Sequence, residues 1–231
     1  MTSVSLKFRL RSFAYVTTIL LSLPFISLAA DDASMPDSPK NSLSEHQLVD
    51  ALRAGGYIIY FRHGITDHST YDTDRNNLEN CAAQRLLSEE GRKEMRDIGA
   101  AIRTLGIQVS SVFSSPYCRC IDTVRLAFGD DVKVVNDLRH TVNADEATAR
   151  QRASVLKSML GTAPLEAGTN TVIAGHTANL QEAAGIWPKP EGVAIIFKPG
   201  PRGTFTYIAT VTPTQWQELV RIDSASGGNK K

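Results

Sequence analysis

The stretch Tyr57-Ile58-Ile59-Tyr60-Phe61-Arg62-His63-Gly64 decides the fold. Its first five residues are apolar without alternation, the pattern of a strand buried on both faces, as in a parallel sheet. Upstream, Ser44-Glu45-His46-Gln47 reads as a helix start with a capping-box Ser and Gln. Leu48 and Leu52 supply the apolar face and Gly55-Gly56 the stop. Downstream the alternation repeats. Ser88 caps a helix that runs through Met95, Ile98 and Ile102 to Leu105-Gly106, and residues 109–113 form a second strand. Pro116 suits the first turn of a helix that Ile121, Val124, Leu126 and Phe128 carry to Gly129. Residues 132–135 are a third strand, 145–160 a charged helix, and 171–174 a fourth strand ending in Gly175-His176. Residues 193–197 and 204–211 flank a Lys-Pro-Gly-Pro-Arg-Gly turn and read as a hairpin; a last helix spans 214–222. This order predicts an α/β three-layer sandwich: a mostly parallel central sheet flanked by helices, with an antiparallel edge hairpin near the C-terminus.

The 231 residues are 42% hydrophobic and 21% charged, enough for one buried core and too apolar for a chain disordered over most of its length. One domain is expected over 44–222, after a flexible, proline-bearing leader at 30–43 and before a polar tail at 223–231. The formal charge is +1, but residues 1–29 hold Lys7, Arg9 and Arg11 and no acid. Without them, 22 basic residues face 24 acidic ones and the balance is −2. No broad basic field exists to gather nucleic acid or anionic lipid, so any anion must be held by a few placed cations.

Those first residues carry a basic start, an apolar run over 13–28 and the small residues Ser27 and Ala29, the pattern of a cleaved secretory signal over 1–29. An uncleaved anchor is the alternative. The run of 16 residues is short for a bilayer span, which needs about 20, and Pro24 interrupts it. The expected location is periplasmic or secreted, with no stable membrane anchor after cleavage. Cys81, Cys118 and Cys120 then lie in an oxidising compartment. Cys118 and Cys120 are too close to pair in regular backbone, so Cys81 is expected to bridge to one of them, leaving one thiol. A zinc site competes poorly, because Cys-Arg-Cys is not a usual ligand spacing.

In open α/β sheets, ligands bind at the carboxyl ends of the strands. That rule selects Arg62-His63-Gly64 after the first strand, Ser114-Ser115-Pro116 leading to Arg119 after the second, and His176 after the fourth. Each is ordinary alone: the triplet occurs by chance, His176 reads equally as a loop side chain, and Arg119 as a helix-surface residue. Together they make an anion site, since guanidinium forks match phosphate oxygens and a neutral imidazole is a nucleophile. Gly64 is expected to leave room for substrate and an unusual turn.

With these residues in view, the chain resembles the histidine phosphatase superfamily, in the branch related to cofactor-dependent phosphoglycerate mutase. Arg62-His63-Gly64, with Thr66 two residues on, matches the family's first motif. The run from Ser114 through Arg119 to Thr123 matches the second, Gly175-His176 the third, and Leu87 to Arg92 the intervening helix start. The resemblance spans roughly residues 56 to 211. It implies phosphomonoester hydrolysis through a phosphohistidine on His63, with Arg62, Arg119 and His176 holding the phosphoryl oxygens and with neither metal nor cofactor. Cys81, Gln84-Arg85, Tyr117 to Cys120 and Phe128-Gly129 are similar to a secreted subgroup of lipopolysaccharide core heptose phosphate phosphatases. A phosphorylated small molecule or envelope glycolipid is the implied partner.

One element departs from the family pattern. Phosphoglycerate mutases carry a Glu shortly after a Leu that follows the third strand; here Leu138 is followed by Arg139-His140. The proton for the leaving group is then expected from His140, from Asp145 or Glu146 at the next helix start, or from no side chain. Asp145 and Glu146 read equally well as ordinary first-turn acids. A non-catalytic phosphate-binding or envelope interaction protein that keeps the pocket is the competing reading. His46 is expected on a helix surface and His68 in a loop near the site.

Overall fold

The computed structural model describes residues 39–227. The expected signal, 1–29, and leader residues 30–38 lie outside them. In chain order the elements are α1 (Glu45–Ala54), β1 (Ile58–Arg62), α2 (Glu89–Thr104), β2 (Val109–Ser114), α3 (Cys118–Phe128) and β3 (Lys133–Val134). They continue as α4 (Glu146–Leu160), β4 (Asn170–Gly175), α5 (Thr177–Ala184), β5 (Ala194–Pro199), β6 (Phe205–Val211) and α6 (Pro213–Gly227).

The six strands form one sheet in the order β3-β2-β4-β1-β5-β6. The first four run parallel, β5 is antiparallel to both β1 and β6, and β6 forms the edge of the expected hairpin. The α/β sandwich is therefore as expected. The unbroken apolar run of β1 is explained by its two faces. Ile59 and Phe61 pack with α1, α2, α3 and α6, while Ile58 and Tyr60 pack with α4 and α5. Trp216 of α6 is fully buried with its ring 6.4 Å from that of Phe61. Each such buried side chain contributes about 1.5–3 kcal/mol.

Local signals set the helix starts. Ser44 and Gln47 form the capping box of α1, and Ser88 caps α2 by accepting from the Gly91 N–H at 3.0 Å. Three details differ from the sequence reading. α3 begins at Cys118, two residues after Pro116, because the Gln84 side chain accepts the Cys118 N–H at 3.0 Å and caps the helix there. β3 is only two exposed residues long, since it pairs only with the end of β2. α5, directly after His176, was not foreseen; its eight residues fall short of the two clear turns that periodicity needs.

The folded unit extends beyond 44–222 at both ends. Asn41 and Ser42, placed in the leader by sequence, lie against β6, with the Ser42 N–H donating to the Ile208 carbonyl at 2.8 Å. α6 continues to Gly227 through residues assigned to the polar tail. There Asp223 accepts from Arg53 of α1 at 2.6 Å, and the Ser224 and Ser226 hydroxyls donate to carbonyls one turn back.

Cys81 is bonded to Cys118, and Cys120 is free and buried. Two positions along a helix turn a side chain through roughly 200°. Cys118 therefore faces the loop after β1 while Cys120 faces the Gly175 carbonyl. The bridge spans 37 residues and removes about 4 kcal/mol of unfolded-chain entropy.

A tight contact fixes α2 against the turn after His63. A Cβ on Gly91 would stand 2.1 Å from the Ile65 carbonyl oxygen, which also accepts the Ser88 N–H at 2.9 Å. Gly91→Ala should destabilise the fold by about 1–3 kcal/mol through overpacking, measurable by urea denaturation. A variant as stable as the parent would show that α2 can move away freely.

Candidate active site

The carboxyl ends of β1, β2 and β4 open onto a cavity of about 250 Å³. Its wall contains Arg62, His63, Asp72, Arg75, Arg85, Arg119, His140 and His176, with Val142, Trp187 and the first turn of α5 at Thr177 and Ala178. The four residues singled out by sequence, Arg62, His63, Arg119 and His176, are thus brought together. Sheet register does this directly: Arg62 is opposite Gly175, and the His63 N–H donates to the Gly175 carbonyl at 3.1 Å.

His63 is 4% exposed, with Nδ1 3.0 Å from the Gly64 carbonyl. A carbonyl only accepts, so Nδ1 carries the proton and Nε2 keeps its lone pair. Burial, then Arg119, pushes the imidazole well below its ordinary value, so the ring is neutral at pH 7. Gly64 has a different part from the one expected. Its N–H donates to Thr123 Oγ1 at 2.8 Å, and a Cβ there would meet Met95 Cγ at 3.0 Å. The missing side chain makes room for α2, and the hydrogen bond ties the turn to α3, because Thr123 also donates to the Arg119 carbonyl at 2.7 Å.

Arg119 is only 3% exposed, lies over the Tyr117 ring at 4.4 Å, and donates from Nη1 to Asp72 at 2.9 Å. Arg62 donates to Glu191 at 3.1 Å and to the Pro188 carbonyl at 3.3 Å. The Nε–H of both arginines is buried without a hydrogen-bond partner among the described residues.

His176 is held from beneath. Tyr60 donates from its buried hydroxyl to the His176 carbonyl at 2.8 Å, which only glycine at 175 allows, as a Cβ there would lie 2.4 Å from the Tyr60 hydroxyl oxygen. Ser115 Oγ is 2.9 Å from His176 Nε2. Burial, then Arg119 and His63, keeps this ring neutral as well. The amino end of α5 follows at once, adding a partial positive charge to the cavity.

The three candidates for the leaving-group proton separate. His140 is in the cavity wall, stacked on Tyr117 with Nε2 2.8 Å from its hydroxyl; burial, then Arg119, pushes it down to about 4. Asp145 and Glu146 are not in the wall. Asp145 caps α4 by accepting from Thr148, and Glu146 pairs with Arg150 on the same exposed helix surface. They are first-turn acids. The carboxylate in the wall is Asp72, which sequence reasoning missed, as it missed Glu191, Arg75 and Trp187. No motif marks Asp72: it sits in a polar loop and is delivered by hydrogen bonds from the Arg85 N–H at 3.0 Å and from Arg119. Glu191 is 8% exposed and also accepts from the Thr66 N–H at 3.0 Å and from its hydroxyl. His68 is exposed with Nε2 3.3 Å from Glu191, so it is near the site as expected; His46 is exposed on α1.

Residues 58–152 match the profile of the histidine phosphatase superfamily (branch 1). That segment includes Arg62, His63, Arg119 and His140; His176 lies beyond it. No curated protein matches the sequence. Among solved structures, the protein histidine phosphatase SixA complexed with tungstate is similar at TM-score 0.50 and 14% identity, covering 69% of this chain and 98% of the other. The product of the Mycobacterium tuberculosis open reading frame Rv3214 is similar at TM-score 0.50 and 16% identity, covering 68% of this chain and 98% of the other. At these identities the likeness is one of fold. The matched segment begins at β1 and contains both the Arg62-His63-Gly64 turn and Arg119; the chain is a phosphatase, similar over residues 58–152 to the histidine phosphatase superfamily (branch 1).

Proposed function

We propose that this chain is a secreted, metal-independent phosphomonoesterase that works through a phosphohistidine on His63, with a phosphorylated sugar of the cell envelope as substrate. The observation that carries the catalytic part is the Nδ1 bond of His63 to the Gly64 carbonyl, which leaves an unprotonated Nε2 in a cavity walled by arginines. Secretion is supported by the basic and apolar N-terminal pattern and by the Cys81–Cys118 bond. A sugar is supported by Trp187 in the wall, a flat apolar face for ring C–H groups.

In this reading Nε2 attacks phosphorus in line, and the P–N bond forms as the P–O bond to the leaving group breaks. Charge spread over the equatorial oxygens is met by Arg62 and Arg119. The leaving oxygen takes a proton from Asp72. In the free protein, burial pushes the Asp72 carboxyl up, but the Arg85 N–H and Arg119 outweigh it and hold the group low. A bound phosphoryl dianion competes for Arg119 and raises the proton affinity of Asp72. Water then attacks phosphorus, returns a proton to Asp72 and releases inorganic phosphate with cleavage of the P–N bond.

His63→Ala should abolish release of phosphate from p-nitrophenyl phosphate and any acid-labile phosphoenzyme; full turnover by that variant excludes the mechanism. Asp72→Asn should slow alkyl phosphates by about 10²–10⁴-fold while slowing p-nitrophenyl phosphate far less, because nitrophenolate leaves without a proton. Equal losses on both substrates would assign Asp72 to holding Arg119 alone.

The buried histidines also predict the acid sensitivity of the fold. His63, His140 and His176 all titrate below the ordinary value when folded, whereas the unfolded chain protonates near pH 6.5. Below that pH the unfolded state binds more protons, so stability is full above about 6.5 and falls as pH drops toward about 4. Thermal denaturation from pH 7.5 to 4.5 should show this slope, flattened by saturating inorganic phosphate. A melting temperature constant across the range would contradict it.

A further inference from the structure

The sheet face beside α4 carries an opening that shares no residue with the cavity at His63. Leu156 and Leu160 of α4 are buried in the core with Ile58, Tyr60 and Ile173. Val155, Ser158 and Met159, at helical spacing on one stripe of α4, instead line a cavity of about 400 Å³. Its other wall is the sheet, with Ser111 and Phe113 of β2 beside Thr171 and Ile173 of β4. Ser111 is paired in register with Thr171 and Phe113 with Ile173, so these four side chains stand on one face. Phe113 is half-buried although Val112 before it is buried, because α4 leaves this part of β2 uncovered.

Ser111 and Thr171 are 7% and 8% exposed. Ser110 beside them accepts from the Thr169 hydroxyl at 2.7 Å. The Ser111 and Thr171 hydroxyls make no such bond among the described residues, and both residues line the cavity. Buried hydroxyls are normally hydrogen-bonded. No charged side chain is in the wall among the described residues; Lys133, outside it, holds its ammonium 5.6 Å from the centre of the Phe113 ring. An ionised head group on the two hydroxyls would lose its hydration without gaining a counter-charge. An alcohol or carbonyl meets them at less cost, and a hydrocarbon tail covers Val155, Met159 and Leu165, the last 88% exposed at the rim.

We propose that this cavity binds a neutral, single-chain aliphatic molecule, its uncharged hydroxyl or carbonyl head on Ser111 and Thr171 and its tail along Val155 and Met159. The volume lies within the span of small-ligand cavities, about 300–1,000 Å³. The site is independent of the phosphoryl chemistry, so binding alone tests it. Titration calorimetry of the full-length protein with 1-octanol should show one molecule per chain with a Kd below about 1 mM, and octanoate at pH 7.5 should bind at least about tenfold more weakly. Ser111→Ala combined with Thr171→Val removes both hydroxyls and should weaken 1-octanol about threefold to tenfold. Val155→Trp, which fills the cavity from α4, should weaken it at least about tenfold with release of phosphate from p-nitrophenyl phosphate unchanged. If the tryptophan does not fit, the variant without hydroxyls decides alone. Octanoate binding as tightly as 1-octanol would place the head at Lys133 and overturn the assignment. No saturable binding of 1-octanol, or an affinity that the loss of both hydroxyls leaves unchanged, overturns it too. So does a dimer in sedimentation that Val155→Trp disperses, because a second copy of the chain then fills the cavity.

Discussion

The parallel pairing of β1 with β4 is the constraint on which the rest depends. It sets Arg62 opposite Gly175 and ends with the His63 N–H on the Gly175 carbonyl, so His63 and His176, 113 residues apart, leave the sheet side by side with ring centroids 5.6 Å apart. Tyr60, one strand position before Phe61, reaches under the same edge to hold the His176 carbonyl. A slip of one residue in this register would exchange the faces of β1 and separate the two rings. The apolar packing of Ile58, Ile59, Tyr60 and Phe61 on both sides of the sheet prevents that slip.

Electrostatics then decides the state of each group. Burial and the neighbouring arginines strip the protons from His63 and His176. Burying cations is costly, and Asp72 and Glu191 offset the cost by holding one terminal nitrogen of Arg119 and Arg62. Among the described residues each Nε–H has no partner. The free protein thus keeps its arginines fixed in the cavity wall, and fixed cations are what preorganised charge stabilisation requires. The −2 balance outside the first 29 residues does not conflict with this, since the charge is concentrated at one edge.

The loop between β1 and α2 gives the site its particular character. Asp72, Arg75 and Arg85 all come from it, and the Cys81–Cys118 bond fastens it to the start of the helix that carries Arg119. Gln84 reinforces the junction by capping that helix. A polar loop with little apolar burial of its own would otherwise open at small cost. Cross-linking it to the start of α3 couples Asp72, Arg75 and Arg85 to Arg119 in one cavity wall. Cys120, two residues on, is pushed up to about 12 by burial and remains a packing thiol.

What sequence alone determined follows from local physics. An unbroken apolar run of strand length after Gly55-Gly56 reads as a strand covered on both faces, Ser and Gln at capping spacing start a helix, and glycines stop one; hence the α/β order and the set Arg62, His63, Arg119 and His176 were legible. Cys81 could be seen to need a partner. Which cysteine it takes depends on helix rotation, and that is set only when α3 packs. The same limit hid Asp72, Glu191, Arg75 and Trp187, whose neighbours in sequence carry no pattern and whose positions arise from hydrogen bonds between distant segments. His140, Asp145 and Glu146 were equal in sequence, five and six residues apart. Tertiary structure separated them, because the 3₁₀ turn Asn136–Leu138 directs the chain so that His140 meets Tyr117 while α4 carries the two acids to the surface.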